Sequence, residues 1–189
     1  HMSLDQPLSL PGTPDIPGLH YRRLDPGRDF PAMSRVHNLA ACIDNPQFQP
    51  QSAEALAREL TPGSPEQAGG VLIAEMNGKM VAWGNCGLYR QRANLWVGYH
   101  EFFILPEWRG QGIELPALNY FEAHISELRQ ACPAEEAIYK IFVNESDTYW
   151  VGQLESAGYT CMAAHANMVR PNLEDIPDHP LPPGIQIRP

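Results

Sequence analysis

The clearest chemical signal in the sequence is a glycine-punctuated turn at Arg109–Glu114, which reads RGQGIE. A strand-like apolar run precedes this turn, and an amphipathic helical pattern follows it. Glycine lets the backbone bend tightly and approach a ligand without interference from a Cβ atom. Unpaired N–H groups in the first turn of a helix favour a bound phosphate, and Arg109 adds a fixed positive charge beside them. The turn is therefore predicted to cradle a diphosphate; the alternative is a turn that merely joins strand to helix.

Two familiar nucleotide motifs are excluded by the spacing of this turn. No Gly-Lys-Ser/Thr follows it, as a Walker loop requires. It also lacks the Gly-x-Gly-x-x-Gly pattern of a dinucleotide-binding Rossmann fold. The predicted cradle is therefore of neither type.

Hydrophobic periodicity predicts the elements that position the turn. Strands are expected at Leu19–Leu24, Val71–Met76, Lys79–Leu88, Tyr99–Leu105, Ala137–Val143 and Tyr159–Val169, with Asn77-Gly78 as a hairpin turn. Helices are expected after Asp29, after Ser52, from Leu115 to Leu128 and over Thr148–Ala157. The order β-α-α-β-β-β-α-β-α-β indicates an α/β domain with a mixed central sheet and helices on both faces.

The chain is acidic, with 13 basic and 22 acidic residues and a formal net charge of −9. Nucleic acid and anionic membranes repel such a protein, so neither is expected as a general partner. A cationic amine substrate is compatible with this charge, and solubility alone explains it equally well. The longest apolar runs are too short to span a bilayer, and the four cysteines are scattered without metal-binding spacing. We therefore expect a cytoplasmic protein with reduced thiols and no metal.

Proline is frequent near both ends of the chain. Residues 1–17 are expected to be an expression-tag remnant and a flexible lead, and residues 18–170 to form one domain. Residues 183–188 (PGIQIR) also resemble residues 17–22 (PGLHYR). We therefore predict that residues 171–189 are a proline-rich linker and the start of a second, truncated copy of the domain.

In this context the chain resembles the GNAT family of N-acyltransferases over roughly residues 19 to 170. The family motif is Arg/Gln-x-x-Gly-x-Gly/Ala after a strand that ends in an apolar-x-Pro signature. Here residues 104–106 (ILP) are followed by Arg109-x-x-Gly112-x-Glu114, so two of three motif positions match and Glu114 departs. The resemblance also includes two N-terminal helices, the hairpin, the long helix after the motif and Gly158-Tyr159 in place of the family's Gly-Phe.

The resemblance implies acetyl-CoA as co-substrate and an amine of a small molecule or protein as acceptor. In the family, the motif strand splays from its neighbour and pairs with the pantetheine arm like an added strand. The residues placed along the arm are Phe102, Phe103 and Ile104. The residues assigned to the diphosphate are Arg109, Gly110, Gln111, Gly112, Ile113 and Glu114. The carboxylate of Glu114 either crowds the diphosphate or points outward as a favourable charge in the helix's first turn.

The resemblance also assigns catalytic roles. Glu101, on the motif strand, is the candidate general base, with a solvated carboxylate as the alternative. His100 points to the opposite face by strand alternation and is expected to be structural. The acceptor side is expected to include the first two helices and the region Leu88–Leu95, whose Arg90 and Arg92 either bind a substrate carboxylate or solvate a loop.

The family's general acid is missing from its usual position. Counting back from Gly158 places Asp147 at the family's Asn and Leu154 at its acid Tyr. Tyr149 and Tyr159 are therefore the fallback acids, although Tyr159 holds the place of a core Phe and is expected to pack. Asn144 fits the Asn role only if three residues are inserted.

Two functions are consistent with this pattern. The first is an N-acetyltransferase that moves an acetyl group from acetyl-CoA to an amine. The second is a catalytically degenerate acyl-CoA-binding or structural domain that supports a second, active GNAT domain, as in proteins resembling mycothiol synthase. Expected assemblies are a homodimer or packing against that second domain, because exposed last strands offer a pairing edge.

Overall fold

The computed structural model describes residues 7–45, 48–60, 70–131 and 136–166, and beyond these residues 172, 174, 180–182, 184 and 185. The chain divides into two compact units, residues 1–159 and residues 160–189. The described residues of the second unit carry neither helix nor strand. All elements named below belong to the first unit.

The elements follow one another largely as the periodicity predicts. The strands are β1 (Leu19–Arg23), β2 (Gly70–Met76), β3 (Lys79–Arg92), β4 (Leu95–Ile104) and β5 (Glu136–Tyr139). The helices are α1 (Phe30–Asp44), α2 (Ala53–Glu59), α3 (Glu114–Ala131) and α4 (Thr148–Ser156), with a 3-10 turn at Pro106–Trp108. The predicted order is confirmed from β1 to α4.

The strands form one mixed sheet in the order β1-β2-β3-β4-β5. Neighbouring strands are antiparallel up to β4, and β5 is parallel to β4. Successive strand residues point to opposite faces, so Ala82 packs with Phe121 of α3 and Leu154 of α4, whereas Trp83 packs with Leu56 of α2. Helices therefore cover both faces of the sheet, as predicted.

The largest differences between the predicted and the observed strand boundaries occur at three places. β3 continues to Arg92 and β4 begins at Leu95, so Arg90 and Arg92 lie on paired sheet. β5 ends at Tyr139, because the chain separates from β4 beyond that residue. The strand expected at 159–169 is not formed over 159–166, and residues 167–169 lie outside the described residues.

From residue 7 onward, the lead before β1 packs against the domain. The backbone N–H of Leu8 donates to the carbonyl of Tyr21 at 2.7 Å. Pro14 lies against the glycine-punctuated turn, since a Cβ atom on Gly112 would be 3.6 Å from the Pro14 Cβ. The lead therefore reaches the surface of the predicted diphosphate cradle.

A buried ion network holds the start of α1 to the sheet. Asp29 occupies the N-cap position of α1, but its side chain makes no capping bond. Its carboxylate instead binds the Arg22 guanidinium at 2.7 and 2.8 Å and accepts from the backbone N–H of Asp25 at 2.7 Å. Arg22, which is 2% exposed, also donates to Glu75 at 2.5 Å. This network fixes α1, whose far end lines the cleft described next.

Candidate active site

The site is organised by the divergence of β4 and β5. The pairing of the two strands ends where the backbone N–H of Lys140 donates to the carbonyl of Gly98 at 3.0 Å, whereas β4 runs on to Ile104. The N–H of Leu105 donates to Val81 of β3 at 3.0 Å, so odd-numbered residues of this stretch direct their backbone groups toward β3. Even-numbered residues direct theirs toward the opening, by strand alternation. The residues that face the opening in this way are His100, Phe102 and Ile104.

The opening between β4 and the chain that follows β5 forms a cleft of about 190 Å³. Its walls are β4, the segment 141–144, the first turn of α4 and the end of α1. The predicted site residues that line it are Glu101, Phe102, Phe103, Ile104, Arg109, Asn144 and Tyr149. The motif strand, the fallback acid Tyr149 and the motif arginine are thus brought to one cleft, from positions far apart in the chain.

The glycine-punctuated turn lies beside this cleft. Gly110 and Gly112 adopt φ angles of 72° and 85°, in the left-handed region where glycine is favoured. Gln111 is exposed on the surface of the turn. Ile113 is fully buried, and its carbonyl accepts a hydrogen bond from the Tyr21 hydroxyl at 3.1 Å. Gln111, Gly112 and Ile113 therefore lie outside the cleft lining, and Ile113 anchors the turn to the core.

Glu114 points into the turn. Its side chain is buried, with 3% of the residue exposed. Its Oε1 atom accepts a hydrogen bond from the backbone N–H of Gly110 at 2.8 Å and another from the Tyr149 hydroxyl. The same N–H also lies 2.7 Å from the Tyr149 hydroxyl oxygen. The outward-pointing alternative for Glu114 is therefore wrong, because Tyr149 and the Gly110 N–H together offer its carboxylate two donors.

Tyr149 links α4 to the turn through its hydrogen bonds with Gly110 and Glu114. Burial, and then its hydrogen bond to Glu114, raise the pKa of its hydroxyl above the usual value. The Arg109 guanidinium lies 5.2 Å from the centre of the Tyr149 ring and donates to the carbonyl of Ala40 at 3.5 Å. These contacts connect the end of α1, the turn and α4. In this arrangement Tyr149 holds its proton more tightly than a free tyrosine does.

A second cavity, of about 240 Å³, lies on the α2 side of the sheet and is named the cavity under α2. Its lining residues are His37, Gln51, Leu56, Glu59, Leu60, Val71, Trp83, Asn85, Tyr99 and Glu101. Arg90 and Arg92, proposed for this side from the sequence, are not among them. Glu101, the candidate base, is among them, so it lies beside this cavity.

Glu101 lines both cavities. Its side chain is exposed, and the walls of the two cavities desolvate it in part. That desolvation, and then repulsion from Glu59, raise the pKa of the Glu101 carboxyl above its ordinary value. A carboxylate with a raised pKa is a stronger proton acceptor, which suits a general base.

His100 lies on the opposite face of β4 from Glu101. It is 2% exposed, its ring stacks on Phe121 with centroids 5.2 Å apart, and its Nδ1 hydrogen-bonds with the Tyr139 hydroxyl. Burial lowers the pKa of His100 to about 3, so the imidazole is neutral near pH 7. These are the features of a structural histidine.

The positions where the family's Asn and Tyr were expected have structural roles here. Leu154 is 6% exposed and belongs to the core cluster on the α3 side. Asp147 caps α4 by accepting a hydrogen bond from the backbone N–H of Trp150 at 2.9 Å. Asn144 lines the cleft and its carbonyl accepts from the N–H of Asp147 at 3.0 Å. Tyr149 is thus the tyrosine of α4 that reaches the cleft.

Sequence reasoning missed polar residues of the second cavity, among them His37, Gln51, Glu59 and Asn85. Asn85 carried a usable signal, because it interrupts the otherwise apolar run of β3 and is 8% exposed. Glu59 lies three residues after the buried Leu56 and hence beside the inward face of α2. No local pattern marks His37 as a cavity residue.

Two kinds of feature are absent from the described part of the chain. No group of three or more His, Cys, Asp or Glu side chains there is arranged to hold a metal ion. Likewise, none of the described helices combines the length and the apolar composition needed to cross a bilayer.

No known family profile and no curated protein matches the chain. Solved structures do resemble it. A GCN5-related N-acetyltransferase from Sphaerobacter thermophilus superposes with a TM-score of 0.60 at 20% identity, covering 77% of this chain and 44% of that protein. The chain thus spans less than half the length of that relative.

Two other structures match over most of their own length. The aminoglycoside acetyltransferase meta-AAC0020 from an uncultured soil metagenomic sample gives a TM-score of 0.58 at 16% identity, covering 81% of this chain and 95% of that one. The yncA protein of Salmonella typhimurium, solved with its cofactor acetyl-CoA, gives 0.57 at 14% identity, covering 77% and 82%. At these identities the likeness is one of architecture, and it agrees with the element order and the β4–β5 divergence. The chain has the GNAT fold.

Proposed function

We propose that this domain transfers an acetyl group from acetyl-CoA to an amine nitrogen of a small molecule or protein. The observation that carries the proposal is the position of Glu101, which lines both the cleft between β4 and β5 and the cavity under α2. A base that removes a proton from an acceptor amine must face the acceptor and the acyl donor at once. The place of Glu101 beside both spaces supports this role.

The residues of the cleft fit the pantetheine arm of an acyl-CoA. The open edge of β4 presents the backbone groups of His100, Phe102 and Ile104, and an extended amide-containing chain binds such an edge as an added strand. Phe102 is 9% exposed and supplies an apolar floor. At the turn that would hold the diphosphate, the N–H of Gly110 is already bonded to Glu114. Binding there requires the Glu114 carboxylate to leave that N–H.

Each residue then has a defined task. When bound, acetyl-CoA supplies a thioester whose carbonyl carbon takes the amine nitrogen and whose thiolate departs. Glu101 accepts the proton that the acceptor ammonium must lose before its lone pair is available. The open-edge N–H groups of β4 donate to carbonyl oxygens, holding the donor in place. Arg109 offers a positive charge beside the turn.

The experiment that tests this function is thiol release from acetyl-CoA with a panel of primary amines. Glu101→Gln keeps the shape of the side chain and removes the base, so turnover should fall by about a hundredfold or more. Glu107→Gln is the matched control, because Glu107 is exposed and lies outside both cavities. Absence of thiol release with every amine, or full activity of Glu101→Gln, would contradict the proposal.

A second candidate is a degenerate acyl-CoA-binding or structural domain that serves another, active domain. The observation that favours it is the Glu114 carboxylate on the Gly110 N–H, inside the turn that would hold the diphosphate. The echo between residues 17–22 and 183–188, and the 44% coverage of the Sphaerobacter protein, are compatible with a tandem arrangement. Isothermal titration with acetyl-CoA, together with the thiol-release assay, separates the candidates: turnover supports the first, and binding without turnover, or no binding, supports the second.

A further inference from the structure

We propose that the cavity under α2 binds a short aliphatic diamine as its dication, one ammonium group at Glu101 and the other at Glu59. This inference rests on the proposed amine acetylation, since it names the class of acceptor. The charges, hydrogen bonds and walls of this cavity of about 240 Å³ support it.

The lining carries two negative charges and no positive one. Its titratable residues are His37, Glu59, Tyr99 and Glu101, and it includes neither lysine nor arginine. Burial lowers the pKa of His37 and raises the pKa of Tyr99, so both are neutral near pH 7. The two carboxylates are close enough for Glu59 to oppose the ionisation of Glu101. A ligand with two positive charges neutralises both carboxylates, whereas a monoamine leaves one uncompensated.

Glu59 is held in place by a neutral donor. The side-chain amide of Gln51 contacts its two carboxylate oxygens at 3.2 and 3.0 Å. The backbone N–H of Gln51 in turn donates to the Asn38 side chain of α1 at 3.0 Å. Because this donor carries no charge, the negative charge of Glu59 remains available to a ligand.

Asn85 adds a polar group that lacks a protein partner. It is 8% exposed, lines the cavity, and pairs across the strands with Glu101. The structure gives its side-chain amide no hydrogen bond with any described residue. Because Asn85 faces the cavity, a ligand N–H at the Glu101 end can donate to its side-chain carbonyl oxygen.

The walls suit a narrow alkyl chain flanked by cations. Aromatic rings line or border the cavity: His37 and Phe103 have centroids 4.2 Å apart, and Trp83 and Phe103 have centroids 5.0 Å apart. Leu56 and Val71 add apolar surface to the lining. Aromatic faces attract ammonium groups. The volume is below the range of about 300–1,000 Å³ typical of drug-sized ligands, which favours a compact molecule.

The test is isothermal titration of the full chain with butane-1,4-diamine and with pentylamine, without acetyl-CoA, at pH 8 and low salt. These probes have the same number of non-hydrogen atoms and differ by one charge. We expect the diamine to bind about tenfold more tightly than the monoamine, which is about 1.4 kcal/mol. In Glu59→Gln the two amines should bind alike, while Glu155→Gln, an exposed charge change on α4, should keep the preference.

The outcomes separate this inference from the proposed function. Equal binding of both amines by the wild type, an undiminished preference in Glu59→Gln, or no binding of either amine overturns the dication site. Thermal unfolding of each variant confirms that it is folded. Diamine binding without any thiol release from acetyl-CoA would support the dication site and overturn the proposed acyl transfer. Turnover by a wild type that binds the diamine and the monoamine equally would support acyl transfer and overturn the dication site.

Discussion

The Oε1 atom of Glu114 accepts a hydrogen bond from the backbone N–H of Gly110 at 2.8 Å, across the turn in which the sequence predicts a diphosphate. An internal carboxylate thus uses a donor that an anionic ligand would use. The Tyr149 hydroxyl, 35 residues further along the chain, donates to the same carboxylate oxygen. Because of this hydrogen bond, we expect the affinity for acyl-CoA to depend strongly on Glu114.

Glu114→Ala is expected to increase the affinity for acetyl-CoA by about tenfold. The substitution removes a negative charge that repels the diphosphate and takes away one of the two acceptors of the Gly110 N–H, leaving the Tyr149 hydroxyl. Glu107→Ala, an exposed change on the adjacent 3-10 turn, should leave the dissociation constant unchanged. Isothermal titration measures both, and an unchanged or weaker affinity in Glu114→Ala would show that the carboxylate does not compete with the ligand.

Arg109→Ala is expected to weaken acetyl-CoA binding by about tenfold, with Arg109→Lys intermediate because it keeps the charge but not the planar donor array. Arg109 also contacts Tyr149 and Ala40, so affinity alone does not distinguish a ligand contact from a structural one. The salt dependence of binding does, since removing a phosphate contact flattens it. A weakened affinity with an unchanged salt dependence would place the diphosphate away from Arg109.

The pH dependence of turnover should report on Glu101. Burial and Glu59 raise the pKa of its carboxyl, so activity should be lost, as pH falls, at a pH above the ordinary range for glutamate. Glu59→Gln removes the repulsion and should move this acidic limb to lower pH. The limb is measured as kcat/KM against pH with the acceptor held fixed. A limb that does not move in Glu59→Gln would exclude the coupling between the two carboxylates.

The same pKa shift has a consequence for stability. A carboxyl whose pKa is higher in the folded than in the unfolded chain favours folding when protonated, and this stability is lost as pH rises through the folded-state pKa. Glu101→Gln should therefore unfold at a higher temperature than the wild type at neutral pH, and the gain should vanish in acid. Differential scanning calorimetry at both pH values measures this difference. An unchanged or lower unfolding temperature at neutral pH would show that the ionised carboxylate is not destabilising.

Local pattern was sufficient to predict most of the fold. Asn77 and Gly78 have φ angles of 49° and 76° and form the hairpin turn between β2 and β3 that their types predict. The turn at Arg109–Glu114 also lies between a strand and a helix, as expected. Such features depend on residues near one another in sequence, so periodicity and turn chemistry identify them.

The direction of Glu114 and the cavity under α2 were not predictable in this way. Whether Glu114 points inward depends on Tyr149, a neighbour only in the folded chain. The cavity depends on the β3–β4 register that sets Asn85 opposite Glu101, and on the docking of α2 that brings Glu59 there. These are long-range contacts that no local pattern encodes.

Arg22→Met should be the most destabilising single change considered for this chain. The guanidinium is buried and is the nearest cation to both Asp29 and Glu75, so its loss leaves two poorly solvated carboxylates with only the longer contacts to Arg28 and His20. Removing one member of such a network costs about 3–5 kcal/mol. Arg28→Met is the control, because the Arg28 side chain is 51% exposed and solvent therefore screens its pairs with Asp25 and Asp29, which contribute less than about 1 kcal/mol. Urea unfolding followed by circular dichroism measures both free energies, and equal values for the two variants would show that the Arg22 network does not hold α1 to the sheet.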